Sequence, residues 1–139
     1  MSVPKPCPCG SQQPYADCCE PYLTGKAIAP TAEALMRSRY TAYCKQNLDY
    51  LLQTRHPDHH FPDEAPAIRR TFQSTHWVSL TIVKTHKGQS TDRKGTVEFI
   101  ARYQEKKPNA LLPNPQVQAM QERSSFVKVK EHWLYTVGK

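Results

Sequence analysis

The chain has 139 residues, 38% hydrophobic and 22% charged, which is the length of one ordinary domain with enough apolar content to bury a core. It contains no apolar run of about 18 residues, which excludes a membrane-spanning helix, and its opening MSVPKPCPCG lacks the apolar stretch of a secretory leader. The net charge of +7 is uneven: residues 1–60 carry six basic against five acidic groups, residues 61–139 thirteen against seven. A solvated lysine-rich surface is the favoured reading of that excess, with contact to RNA or a ribosome as the alternative. The expected compartment is the reducing cytoplasm.

Residues 1–29 read as a separate module, rich in proline and small residues and without a long hydrophobic period. Four of the five cysteines fall here, at Cys7, Cys9, Cys18 and Cys19, in the spacing C-x-C-x8-C-C. Clustered thiols in a reducing compartment point to a metal rather than to disulfides, and four soft donors suit one zinc ion. Gly10 allows the backbone to turn, Pro6 and Pro8 stiffen the approach, and a short helical turn is expected around Asp17–Leu23. A four-thiolate site is coordinatively closed, so the zinc would be structural. A disulfide and redox chemistry by the vicinal pair Cys18-Cys19 are the alternatives. Cys44 lies on an apolar stripe and reads as a core residue.

The next segment, 30–54, predicts the clearest helix of the chain. Thr31 is a plausible N-cap, and Leu35, Met36, Tyr40, Tyr43, Cys44, Leu48, Leu51 and Leu52 recur at helical spacing. Residues 55–75 read as a proline-bearing loop, RHPDHHFPDEAP, and a short helical turn. Four strands follow at 76–86, 95–105, 118–130 and 132–138, with Val78, Leu80 and Ile82 on the buried face of the first and Val97, Phe99, Ala101 and Tyr103 on that of the second. A long connection, KKPNALLPNP, separates the second strand from the third. The expected class is α+β: a long helix packed on a curved antiparallel sheet of about four strands, preceded by a small zinc knuckle.

The run CPCGS…Y…CC resembles a SEC-C motif, the zinc module at the C-terminus of the preprotein-translocase motor ATPase. The resemblance implies one zinc ion held by Cys7, Cys9, Cys18 and Cys19, and docking to a partner such as a secretion chaperone or a ribosome. ALMRSRYTAY (34–43), His56-Pro57, VEFIARY (97–103) and ERSSFV (122–127) are similar to the YchJ family, which couples a SEC-C motif to a nuclear-transport-factor-2-like, or cystatin-like, domain. The implied division is 1–29 for the zinc module and 30–139 for the α+β domain. The chain departs from the family pattern at Arg55, where tryptophan is usual before His-Pro, at Gln121, where histidine is usual, and in a longer connection over 106–117.

The implied fold often encloses a conical cavity. Its candidate lining is Arg39 (or Arg37), Tyr40, Tyr43, Trp77, Arg102, Tyr103, Glu122, Arg123 and Trp133. An Arg–Glu pair such as Arg102–Glu122 could hold a polar ligand or fix the fold as a buried ion pair, and the structural use is the favoured reading. His56, His76 and Glu122 are the candidate acid–base groups, but no motif links them, so catalysis is not favoured. The His56, His59, His60 run lacks the helical geometry of zinc motifs and reads as solvated. The reading that results is a zinc-binding adaptor whose knuckle docks on a protein or ribosomal partner. A small-molecule binder or enzyme using the cavity is the alternative, and RNA binding by the basic sheet a weaker one. A homodimer is left open.

Overall fold

The computed structural model describes residues 5–106 and 116–138. After a 3-10 turn at Tyr15–Asp17 come α1 (Glu20–Leu23), α2 (Ala32–Lys45), α3 (Leu48–Gln53), a second 3-10 turn at Pro57–His59, and α4 (Glu64–Ser74). Four strands complete the fold: β1 (Thr75–Lys87), β2 (Lys94–Glu105), β3 (Gln118–Val129) and β4 (His132–Gly138). They form one antiparallel sheet in the order β1-β2-β3-β4. This is the α+β class expected from the sequence. The connection KKPNALLPNP runs over 106–115, and all of it but Lys106 lies outside the described residues. No helix among the described residues is long and apolar enough to cross a membrane.

The helical period read over 30–54 is real, but two helices share it. Thr31 caps α2 by accepting the Ala34 N–H at 3.0 Å. The helix stops at Gln46, which adopts φ 58° in the left-handed region. Asn47 then starts α3 by accepting the Tyr50 N–H at 3.0 Å through its side chain. A short amide beside its own backbone offers an alternative to the helical ladder, and here that alternative wins. The helix α4 is longer than the expected turn. It begins two residues before Pro66, because a first-turn proline lacks only a donor that the helix leaves unpaired anyway.

In the sheet, Leu80, Val97, Phe99, Ala101, Ser124 and Phe126 are buried on the face that α2 crosses. Val78 is a correction: it is 46% exposed. A register shift between Trp77 and Ser79 changes the phase of alternation and turns Trp77 to the helix side. Its ring lies 5.9 Å from that of Tyr40 and 5.8 Å from that of Tyr43.

The open edge of β4 is partly covered. The His56 N–H donates to the Tyr135 carbonyl and the Tyr135 N–H to the Thr54 carbonyl, each at 2.8 Å, so residues 54–56 run beside the strand.

The core is continuous from end to end. Cys7, Cys9 and Cys19 belong to the same buried cluster as Ala32, Leu35, Phe99 and Trp133. Leu35, Phe126 and Trp133 are among its largest fully enclosed side chains. Each contributes roughly 1.5–3 kcal/mol or more of apolar transfer.

Candidate functional site

The cysteine segment folds as a tight hairpin. The Cys7 N–H donates to the Gln13 carbonyl at 2.8 Å and the Tyr15 N–H to the Lys5 carbonyl at 3.0 Å, bringing Pro6 opposite Pro14. Gly10 turns the tip at φ 82°, and an added Cβ there would lie 2.9 Å from the Leu80 carbonyl oxygen, so glycine is required twice over. The 3-10 turn and α1 meet at Cys18 and Cys19, with Cys19 as the residue before the helix. That junction is the sharp bend that adjacent ligands need.

The four thiol sulfurs lie within 4.8 Å of one another. Cys9 Sγ is 3.6 Å from Cys18 Sγ, and Cys18 Sγ is 3.9 Å from Cys19 Sγ. Four sulfurs about 2.3 Å from a tetrahedral metal are about 3.8 Å apart, so these spacings fit a metal site and are far too long for a disulfide. All five cysteines are free thiols. Cys7, Cys9 and Cys19 are buried, and Cys18 is half-buried. Around them, Ser11 Oγ lies 3.1 Å from Cys18 Sγ and Thr41 Oγ1 lies 3.7 Å from Cys7 Sγ. Arg37 Nη1 donates to the Cys9 carbonyl at 2.7 Å and approaches its sulfur at 3.8 Å. Arg37 therefore belongs to the cysteine cluster, not to the cavity.

The close thiols shift one another's acidity in opposite directions. Hydrogen bonds from Cys19 and Cys7 hold the Cys9 thiol far below its usual range. The Cys19 thiol, sharing protons with Cys7 and Cys9, is held far above it. Burial pushes Cys18 up to about 11. Cys44 stands outside the cluster, half-buried, its thiol raised to about 11 by burial. Among the described residues, these four cysteines are the only group of three or more metal-ligating side chains close enough to share an ion. His56, His59 and His60 form no such group: His56 Nδ1 accepts the Asp58 N–H, and His60 pairs with Glu64.

A second feature is a cavity of about 250 Å³ between the helices and the inner face of the sheet. Five candidates line it: Arg39, Tyr40, Tyr43, Trp77 and Glu122. The others lie elsewhere. Tyr103 sits beside Trp77, ring centroids 5.7 Å apart, and lines a separate surface depression with Arg70 and Glu105. Arg102 and Arg123 are on the opposite face of the sheet, where Arg102 reaches Thr81 Oγ1 at 3.4 Å and Arg123 stands across from Glu98. The expected Arg102–Glu122 pair does not form: Glu122 is registered against Phe99, an inward residue, and Arg102 has the other parity on the same strand. Trp133 is enclosed at the Pro30 end of the core and donates to the Pro30 carbonyl at 3.2 Å.

Sequence reasoning missed Arg55, Ser124 and Tyr135, which also line the cavity. The alternation that marks Glu122 also marks Ser124, and the parity of Trp133 marks Tyr135. Arg55 had no such signal, since it is placed by the pairing of 54–56 with β4. Arg39 Cζ lies 4.7 Å and Arg55 Cζ 4.9 Å from the Tyr135 ring centroid. Arg55 also forms an ion pair with Glu64, itself buried. Arg39 is 5% exposed, and burial lowers its pKa to about 10. Trp77 holds a buried Nε1 with no hydrogen-bond partner, a defect that costs roughly 1–3 kcal/mol when nothing fills it. His56 and His76 do not line this cavity, so the three candidate acid–base groups are not assembled at one site.

Two family models match the chain: one described as YchJ, middle NTF2-like domain, over residues 31–138, and one for the SEC-C motif over residues 4–21. A relative from Yersinia pestis (strain Pestoides F), named UPF0225 protein, is 43% identical over 132 residues, spanning 95% of this chain and 81% of the relative. The solution structure of a SEC-C motif containing protein from Rhodopseudomonas palustris is similar at a TM-score of 0.83 and 32% identity, covering 97% of this chain and 98% of the other. A crystal structure of another such protein, from Psychrobacter arcticus, gives a TM-score of 0.74 at 30% identity, covering 96% and 81%.

Proposed function

The chain belongs to the YchJ family, and from that premise we propose that it is a zinc-binding adaptor of the cytoplasm. One structural zinc ion held by Cys7, Cys9, Cys18 and Cys19 would fix a docking surface for a protein partner, a secretion chaperone or a ribosomal protein. The observation that carries this reading is the sulfur constellation, whose spacings of 3.6 and 3.9 Å suit a tetrahedral ion. An all-sulfur donor set favours zinc among abundant divalent ions. Four protein ligands leave no position for water, so the ion would organise the fold and not activate a substrate. The outer side of the knuckle presents exposed Lys5, Gln12, Gln13 and Asp17. That polar rim is the proposed contact surface.

The test separates the metal from the surface. Elemental analysis of protein purified without added metal is expected to give one zinc per chain. A Gln12→Glu/Gln13→Glu double variant, which leaves the four thiols in place, is expected to keep the zinc and lose capture of the partner. Zinc-loaded wild-type chain that enriches no partner, or a rim variant that captures as well as wild type, would sink the docking reading. Metal-free folded protein would sink the zinc reading.

A further inference from the structure

The cavity holds charges and donors for which the metal centre has no use. Its volume of about 250 Å³ is the liquid share of about eight waters, room for a single substituted aromatic ring.

Arg39 is the decisive residue. Its Nη1 donates to the Leu51 carbonyl at 2.8 Å and to Thr54 Oγ1 at 2.6 Å, both neutral acceptors. No carboxylate among the described residues pairs with it. A guanidinium this deeply buried ordinarily has an anionic partner. Arg55 is different, since Glu64 already balances it. Trp77 adds the buried N–H without an acceptor. The walls are largely π-faces, from Tyr40, Tyr43, Trp77 and Tyr135. Glu122 is the one carboxylate among the lining residues, and among the described residues no ion pair neutralises it. A carboxylate there disfavours a dianion such as a phosphate ester, whereas one uncompensated guanidinium suits a monoanion.

We propose that this cavity binds a small aromatic monocarboxylate that carries a ring hydroxyl. The carboxylate pairs with Arg39, the ring packs among the tyrosines and Trp77, and Glu122 accepts a hydrogen bond from the ring hydroxyl. The site is separate from the metal centre and needs no partner, so its failure leaves the zinc reading standing, and the reverse holds as well.

The chain has two tryptophans, which give two indole N–H signals in an ¹⁵N-correlated NMR spectrum of the full chain. Trp77→Phe identifies which is which. Titration with 4-hydroxybenzoate is expected to move the Trp77 signal and leave that of Trp133, already donated to Pro30. The neutral analogue 4-hydroxybenzamide is expected to bind at least about ten-fold more weakly, the size of one lost charge-assisted hydrogen bond. Glu122→Gln, a change at a half-exposed position, is expected to reduce the preference for 4-hydroxybenzoate over benzoate. An unmoved Trp77 signal, equal affinity for acid and amide, or equal displacement of the probe by inorganic phosphate would each overturn the proposal.

Discussion

Ser38 and Tyr50 join α2 to α3 through one short contact, 2.6 Å between their hydroxyl oxygens. Ser38 is fully buried and also donates its proton to the Leu35 carbonyl at 2.9 Å, so the Tyr50 O–H is the donor of the pair. Tyr50→Phe is expected to cost about 1 kcal/mol, because it removes a donor and leaves the serine proton placed. Burial pushes the Tyr50 phenol from 10 up to about 12. The folded state therefore keeps a proton that the unfolded chain loses, and this contribution is complete below about pH 10 and lost as pH rises towards 12. Urea midpoints between pH 9 and 12 should fall more steeply for wild type than for Tyr50→Phe. Parallel slopes would show that Tyr50 does not titrate in this way. At this scale the grouping of the four cysteines was readable, since sulfur donors at close spacing have few other uses. The cavity residues were only half readable: parity marks an inward face, but not which inward residues meet a void and which meet another side chain.

Among the elements, the break between α2 and α3 has the clearest consequence. The short helix α3 exists because Asn47 caps it, and it carries the Leu51 carbonyl that holds Arg39, with Thr54 following at its end. Asn47→Ala is expected to cost about 1 kcal/mol and Asn47→Gly only a few tenths, since both lose the side-chain cap but glycine tolerates the cap conformation. Equal losses in urea denaturation would show that the shared loss of the side-chain hydrogen bond, and not the cap conformation, sets the cost. The same Asn→Ala change should broaden the NMR signals of Leu51 and Thr54, which loosens the guanidinium in the cavity. The strands were legible to within about a residue or two, because alternation and β-branching mark them strongly. The phase of β1 was not legible. A bulge leaves no mark in the hydrophobic pattern, and Val78 is as apolar as an inward residue would be.

At the scale of the whole molecule, the cysteine cluster and the α+β core are one packed unit. Three of the four cysteines lie in the main buried cluster, and Arg37 on α2 holds the knuckle by the Cys9 carbonyl. Removal of the zinc ion proposed for this cluster should therefore destabilise the whole chain. Chelation under reducing conditions is expected to lower a single unfolding transition by on the order of 10 °C, as a loss of a few kcal/mol would in a chain of this size. A second early transition, with the main one unmoved, would mean that residues 1–29 melt alone. A cysteine variant that loses partner capture is for the same reason ambiguous, whereas a rim variant is not.

The sequence by itself determined the α+β class, the four strands, and the knuckle with its cluster of four cysteines. Each depends on local periodicity or on short spacing, which the chain carries wherever it folds. Only the tertiary structure decided that the knuckle shares a core with α2, that Arg102 and Glu122 face opposite ways, and that Arg39, Arg55 and Tyr135 meet. Those outcomes depend on strand register, on one bulge and on an edge pairing. A shift of a single residue in any of them reverses which side chains face inward.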